Sequence, residues 1–142
     1  MNDDVKLLNY IYQNSQMGVE TIEQLEKMVD DKQFKDYLKD KYEGYCKIHR
    51  LAKAKLNNHG YDEKGISAFE KVRTDLMINM QTITDKSPSH IAQMLMLGST
   101  MGIINAIRCL HDYPKAGQDV LNLMDKLKEF EEKSYGDLQA FI

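Results

Sequence analysis

Apolar residues recur three and four positions apart along most of this chain, and no stretch alternates in the two-residue period of a strand. Leu8, Ile11, Ser15, Gly18, Ile22, Leu25 and Val29 keep that spacing without a break. They predict a first helix over roughly residues 4–29, capped by Asn2 or Asp3. The link at Asp30–Asp31 is short, so a second helix, from about Lys32 to Asn58, should fold back antiparallel. Its stripe holds Phe34, Leu38, Tyr45, Ile48, Ala52 and Leu56, with His49 on the flank and Gly60 as the stop. Residues 61–65 read as a loop. Ser67 and Glu70 fit a capping box for a shorter third helix carrying Phe69, Val72, Leu76, Met80 and Ile83. Ser87 and Pro88 suit the N-cap and first turn of a fourth helix reaching about His111. After a loop at Tyr113–Gly117, a last helix near Gln118–Ala140 carries Val120, Leu123, Leu127, Phe130, Ser134, Leu138 and Phe141.

One segment departs from this amphipathic pattern. Ile91–Ile107, IAQMLMLGSTMGIINAI, has no charged residue and carries Gly98 and Gly102 four apart. A membrane span is one explanation, since GxxxG also serves membrane helix pairs. The run is short for a span, is interrupted by Gln93, Ser99, Thr100 and Asn105, and is closed by Arg108. A helix enclosed by protein at the centre of a bundle is the better expectation.

The composition narrows the classes. The chain has 142 residues, enough for a single domain, residues 1–142, with its own core. Its net charge of −3 supplies no basic field for nucleic acid or an anionic membrane. Two cysteines, Cys46 and Cys109, make no disulfide framework. The acidic start MNDDVKLLNY lacks the apolar core of a signal peptide, so a cytoplasmic location is the default expectation.

Helix number, helix length and the long excursion between the second and fourth helices resemble the ferritin-like superfamily. The resemblance rests on MGVETIEQL (17–25), SPSHIAQMLMLGSTMGIINAI (87–107) and KEFEEK (128–133), and is nearest to small uncharacterised bacterial, rubrerythrin-like proteins. It implies an all-α antiparallel ferritin-like four-helix bundle with an additional shorter helix between the second and fourth. The third helix is then either a crossover or a full bundle member. The family's di-iron chemistry does not carry over. Such sites need Glu-x-x-His on two helices, because that spacing puts both ligands on one face. Here Cys46 precedes His49 by three, Leu56 precedes His59, Ser87 precedes His90 and Arg108 precedes His111.

Weaker chemistry remains. Cys46 and His49 share a helix face and, with Glu43, offer three potential metal ligands, short of the four a structural zinc site needs. Glu20 and Glu131 are further carboxylates for a non-standard iron or manganese site, although Glu20 and Glu43 lie off the seams. Ser15, Arg73, Arg108 and Glu131 fall on or beside the seams, where a carboxylate and a guanidinium would pair. Met77, Met80, Met94, Met96, Met101 and Met124 suit core filling or an adaptable binding surface. Tyr10, Tyr12, Tyr37, Tyr42 and Tyr45 crowd the first helix pair, as boundary residues, a dimer face or a pocket rim. The resulting expectation is a non-catalytic binding or interaction bundle, self-associating, with no cofactor, no nucleic acid and no membrane. The alternative is a degenerate metal-dependent redox protein.

Overall fold

The starts of three helices, α1, α2 and α4, are fixed by side-chain caps. The computed structural model describes residues 2–61 and 70–142, without the side chains of Glu70, Val72 and Arg73. Helix α1 spans Asp3–Glu26, and Asn2 Oδ1 accepts from the Val5 amide at 2.9 Å. Helix α2 spans Lys32–Asn58, and Asp31 Oδ1 accepts from the Phe34 amide at 2.8 Å. Gly60 follows it with φ of 80°, the left-handed geometry that ends a helix at little cost only in glycine. Helix α3 is Glu70–Gln81. Helix α4 is Pro88–Asp112, with Ser87 Oγ accepting from the His90 amide at 3.3 Å. Helix α5 is Gln118–Leu138, followed by a single 3₁₀ turn, Gln139–Phe141. No strand occurs among the described residues. The Ser67–Glu70 capping box, the 62–65 loop, Phe69, Val72 and the Arg73 seam position lie outside what is described.

Two antiparallel hairpins, α1/α2 and α4/α5, make the body of the bundle, and α3 packs on α1. Asp4 Oδ1 accepts from the Gly117 amide at 2.6 Å, His59 Nδ1 lies 3.8 Å from Asp4, and Lys55 bonds Asp119 at 3.3 Å. The start of α1, the end of α2 and the start of α5 therefore share one end. Phe34 against Phe141 (4.8 Å between ring centroids) and Tyr37 against the Ser134 carbonyl mark the other. Helix α4 finishes beside the start of α5, so it begins at this second end. Helix α2 consequently ends at the first end of the bundle and α4 begins at the second.

The first seam holds closely. Leu8, Ile11, Ser15, Ile22, Leu25 and Val29 are buried, although regular helix stops at Glu26 and Val29 packs from the turn. Ser15 bonds back to the Ile11 and Tyr12 carbonyls, which satisfies its hydroxyl inside the core. The α2 stripe is buried throughout, but it includes one more member, Lys41. In α5 the buried seam runs Val120, Leu123, Met124, Leu127, Glu131, Ser134 and Leu138, so Glu131 lies on the seam and Phe130 beside it.

Helix α4 differs most from expectation. It is not enclosed on all sides. Its inward positions are Ile91, Ala92, Leu95, Ser99 and Ala106, mostly small, with Gly102 between the last two. Several large side chains point outward: Leu97 is 70% exposed and Met101 56%, with Ile104 and Ile107 also exposed. Among the described residues it is the one helix long and apolar enough to cross a membrane.

The Asp4 carboxylate does two jobs at the shared end, accepting from the amide that starts α5 and facing His59. Glycine at position 117 has no side chain to cap α5 itself. Replacing Asp4 with Ala should cost about 1 kcal/mol, the usual value of a helix cap. Denaturant unfolding of Asp4→Ala against the wild type measures it, and no difference would show that the contact contributes nothing.

Candidate functional site

The centre of the bundle is polar, and glycines make room for it. A Cβ on Gly18 would stand 2.7 Å from the Tyr45 ring, so the ring lies flat against the α1 backbone. Gly44 is covered in the same way by the Phe130 ring. A Cβ on Gly102 would meet Glu131 Cγ at 3.2 Å, a tight contact, so Glu131 packs closely on the α4 backbone there. Tyr45 and Phe130 meet edge to face, 4.8 Å between centroids, and clamp α2 to α5.

Glu131 is 2% exposed. Its Oε1 accepts a short hydrogen bond from the Tyr45 hydroxyl. Burial, and then the adjacent Glu131 charge, push the Tyr45 phenol well above its ordinary value, so it stays a proton donor. Lys41 is 4% exposed, and its Nζ sits 5.0 Å from the Tyr45 centroid and 5.1 Å from that of Phe130. Cation–π attraction to two rings offsets part of its desolvation. Its Nζ has no hydrogen-bond partner, and neither does the buried Oγ of Ser99. Burial lowers the Lys41 pKa, with Glu131 and Asp137 opposing that shift.

These groups line one pocket of about 130 Å³ between the hairpins. Apolar walls come from Ile22, Leu25, Leu76, Met80, Met94 and Leu95. Gly98 and Gly102 form the α4 side and Gly18 the α1 side. A smaller pocket, about 70 Å³, lies on the outer side of Lys41 between Tyr37, Asp40, Phe130 and Lys133.

Of the candidate metal ligands singled out from the sequence, only Glu131 lines the main pocket, together with Tyr45, Met80 and Met94 from the tyrosine and methionine groups. Glu43 is exposed and Glu20 half-buried on α1. Cys46 is a free, half-buried thiol. His49 turns toward α1: its ring stacks on Tyr12 at 4.2 Å, and Nδ1 lies 3.3 Å from both Ser15 Oγ and the Tyr12 carbonyl. No group of three His, Cys, Asp or Glu stands ready for a metal among the described residues. Arg108 is exposed, so the buried carboxylate meets a phenol and a nearby ammonium in place of the expected guanidinium. The sequence reading passed over Lys41. Its signal was the gap in the α2 stripe between Leu38 and Tyr45, which position 41 fills in register.

Burying the Lys41 ammonium is a cost that Lys41→Met removes while keeping the unbranched stem. Burial outweighs the attraction of Glu131 and Asp137 for the ammonium, so the variant should be more stable by about 1 kcal/mol at neutral pH. The folded-state pKa is lowered, so the unfolded chain binds more protons. Wild-type stability therefore rises as pH climbs from the folded value toward the ordinary 10.5. Lys41→Met lacks that rise, and the gap between the two proteins should close with increasing pH. Urea denaturation of both proteins from pH 7 to 10 checks this, and parallel pH profiles would refute it.

No family model, no curated protein and no solved structure matches this chain.

Proposed function

We propose that this protein is a small-molecule-binding helical bundle of ferritin-like topology, with its ligand site in the pocket between the two hairpins. The topology rests on the long return between α2 and α4, the single crossover of ferritin-like bundles, whose ligand and metal sites also lie in the bundle core. The binding reading rests on one observation: Lys41 and Ser99 contribute to the pocket wall, and their buried Nζ and Oγ make no hydrogen bond. Each unmade bond costs on the order of 1–3 kcal/mol, which a ligand carrying an acceptor would recover. A cavity of this size holds a molecule about as large as benzene. Lys41 and Glu131 balance one another when both are ionised, so a neutral ligand with one polar head fits better than an anion.

Benzamide and benzyl alcohol are suitable probes. A probe at ten times its Kd should stabilise the fold by about 1.4 kcal/mol and raise Tm by roughly 3–6 °C. Ser99→Leu fills the pocket from α4 and should abolish the shift while the far-ultraviolet spectrum stays helical. An equal shift in Ser99→Leu would place binding elsewhere, and no shift in the wild type with a range of such neutral probes would end the reading.

The outer face of α4 supports a second reading, association with another copy of the chain. Leu97, Met101 and Ile104 are spaced four and three apart, the seam of a paired helix, and all are exposed. Gly98 has open space above it, which lets a second backbone approach. An uncharged strip is self-complementary about a two-fold axis. Sedimentation velocity should show a dimer that Leu97→Glu with Ile104→Glu converts to monomer. A wild-type monomer at high concentration would refute this, and wild-type binding to neutral phospholipid vesicles would assign the strip to lipid.

A further inference from the structure

We infer that the ligand is a neutral straight-chain amphiphile longer than about six carbons, whose chain runs from the pocket through a mouth at Gly98 onto the apolar strip of α4. This rests on the pocket being the ligand site. It adds the shape of the ligand and the path it follows.

The pocket is not sealed. Gly98 lines it and is exposed at the same time. Among the described residues, no atom stands within 4 Å of the place its Cβ would take. The two other glycines of the pocket are covered, Gly18 by the Tyr45 ring and Gly102 by Glu131. The mouth is therefore a notch one side chain wide in the α4 wall. Met94 borders it on α4, and the half-buried Asn14, Met17 and Thr21 stand on the α1 side of the pocket. None of these is charged. The charged residues that line the pocket, Lys41 and Glu131, are both buried.

Outside the mouth the apolar surface continues. Residues three and four apart share a helix face, so Met101 lies beside Gly98, and Leu97 lies beside both Met94 and Met101. Leu97 and Met101 are well exposed, and Ile104 extends the strip by another turn. A pocket of about 130 Å³ is filled by about six carbons. A longer compact molecule does not pass a notch one side chain wide, but a straight chain does. Its outer part covers Leu97 and Met101, which removes apolar surface from water on both partners without a polar contact. No charged residue occurs from Ile91 to Ile107, so the strip offers no counter-charge to an ionic head, and a neutral one is favoured. A bound chain and a second copy of the protein compete for Leu97 and Met101.

Isothermal titration calorimetry with the straight-chain alcohols from 1-butanol to 1-decanol tests the path. One alcohol should bind per chain. Affinity should rise about fourfold per methylene until about six carbons fill the pocket, the increment of a fully buried methylene. Beyond that length it should rise about twofold per methylene, because the strip covers one side of the chain only. Gly98→Leu places a side chain in open space, so the fold tolerates it, and it should end the rise at the length that fills the pocket. Leu97→Ser with Met101→Ser should remove the second, shallower rise. A wild-type affinity that stops rising after 1-hexanol confines the chain to the pocket and overturns the inference, whatever the variants do. Equal binding of 1-decanol by Gly98→Leu and the wild type overturns it too. If benzyl alcohol or 1-butanol still binds in those cases, the pocket reading survives alone; if neither binds, both fall.

Discussion

A carboxylate at the centre of a helical bundle must be given partners and space, and most of the core arrangement answers to that requirement. Glu131 enters from α5 and packs closely on Gly102 of α4. Its hydrogen bond comes from Tyr45 on α2, whose ring lies flat only because Gly18 on α1 has no Cβ. Phe130 then packs on Gly44 and on the edge of Tyr45, and the two rings face the Lys41 ammonium. Four helices thus depend on one buried acid. Removing it would leave the Tyr45 hydroxyl without its acceptor and Lys41 without the opposite charge in its pocket.

The same requirement explains why α4 is turned as it is. Bulky side chains at positions 99 and 102 would fill the pocket and crowd Glu131. Small residues at Ser99, Gly102 and Ala106 face inward, and leucine, methionine and isoleucine are left for the outside. The apolar surface of the protein and its polar interior are two results of one rotation of one helix.

Periodicity revealed the amphipathic helices because each had a polar face to set its phase. The seams of α1, α2 and α5 could be read for most of their length, down to Ser15 and Ser134, although Phe130 was expected where Glu131 stands. Two core positions were obscured because their residue types are ordinarily exposed: Lys41 and Glu131 continue the three-and-four spacing but break its chemistry. Helix α4 had the opposite problem. With apolar residues on every side, the sequence marks a helix but gives no phase, so enclosure on all sides was the natural expectation. Its true orientation is decided by Glu131 and Tyr45, which lie far away in the chain. The pocket was not legible for the same reason, since it is defined by what glycine and serine leave empty.

The division into two hairpins also fixes an order of assembly. Most partners of α1 lie in α2, and most partners of α4 lie in α5, so each hairpin forms from contacts near in sequence and closes early. Lys41 belongs to the first hairpin and Glu131 to the second. While the hairpins are apart, both charges remain hydrated, and their water is surrendered only when the two halves dock across the length of the chain between His59 and Ser87. The electrostatic penalty therefore belongs to the docking of the halves, and the site is complete only in the finished protein.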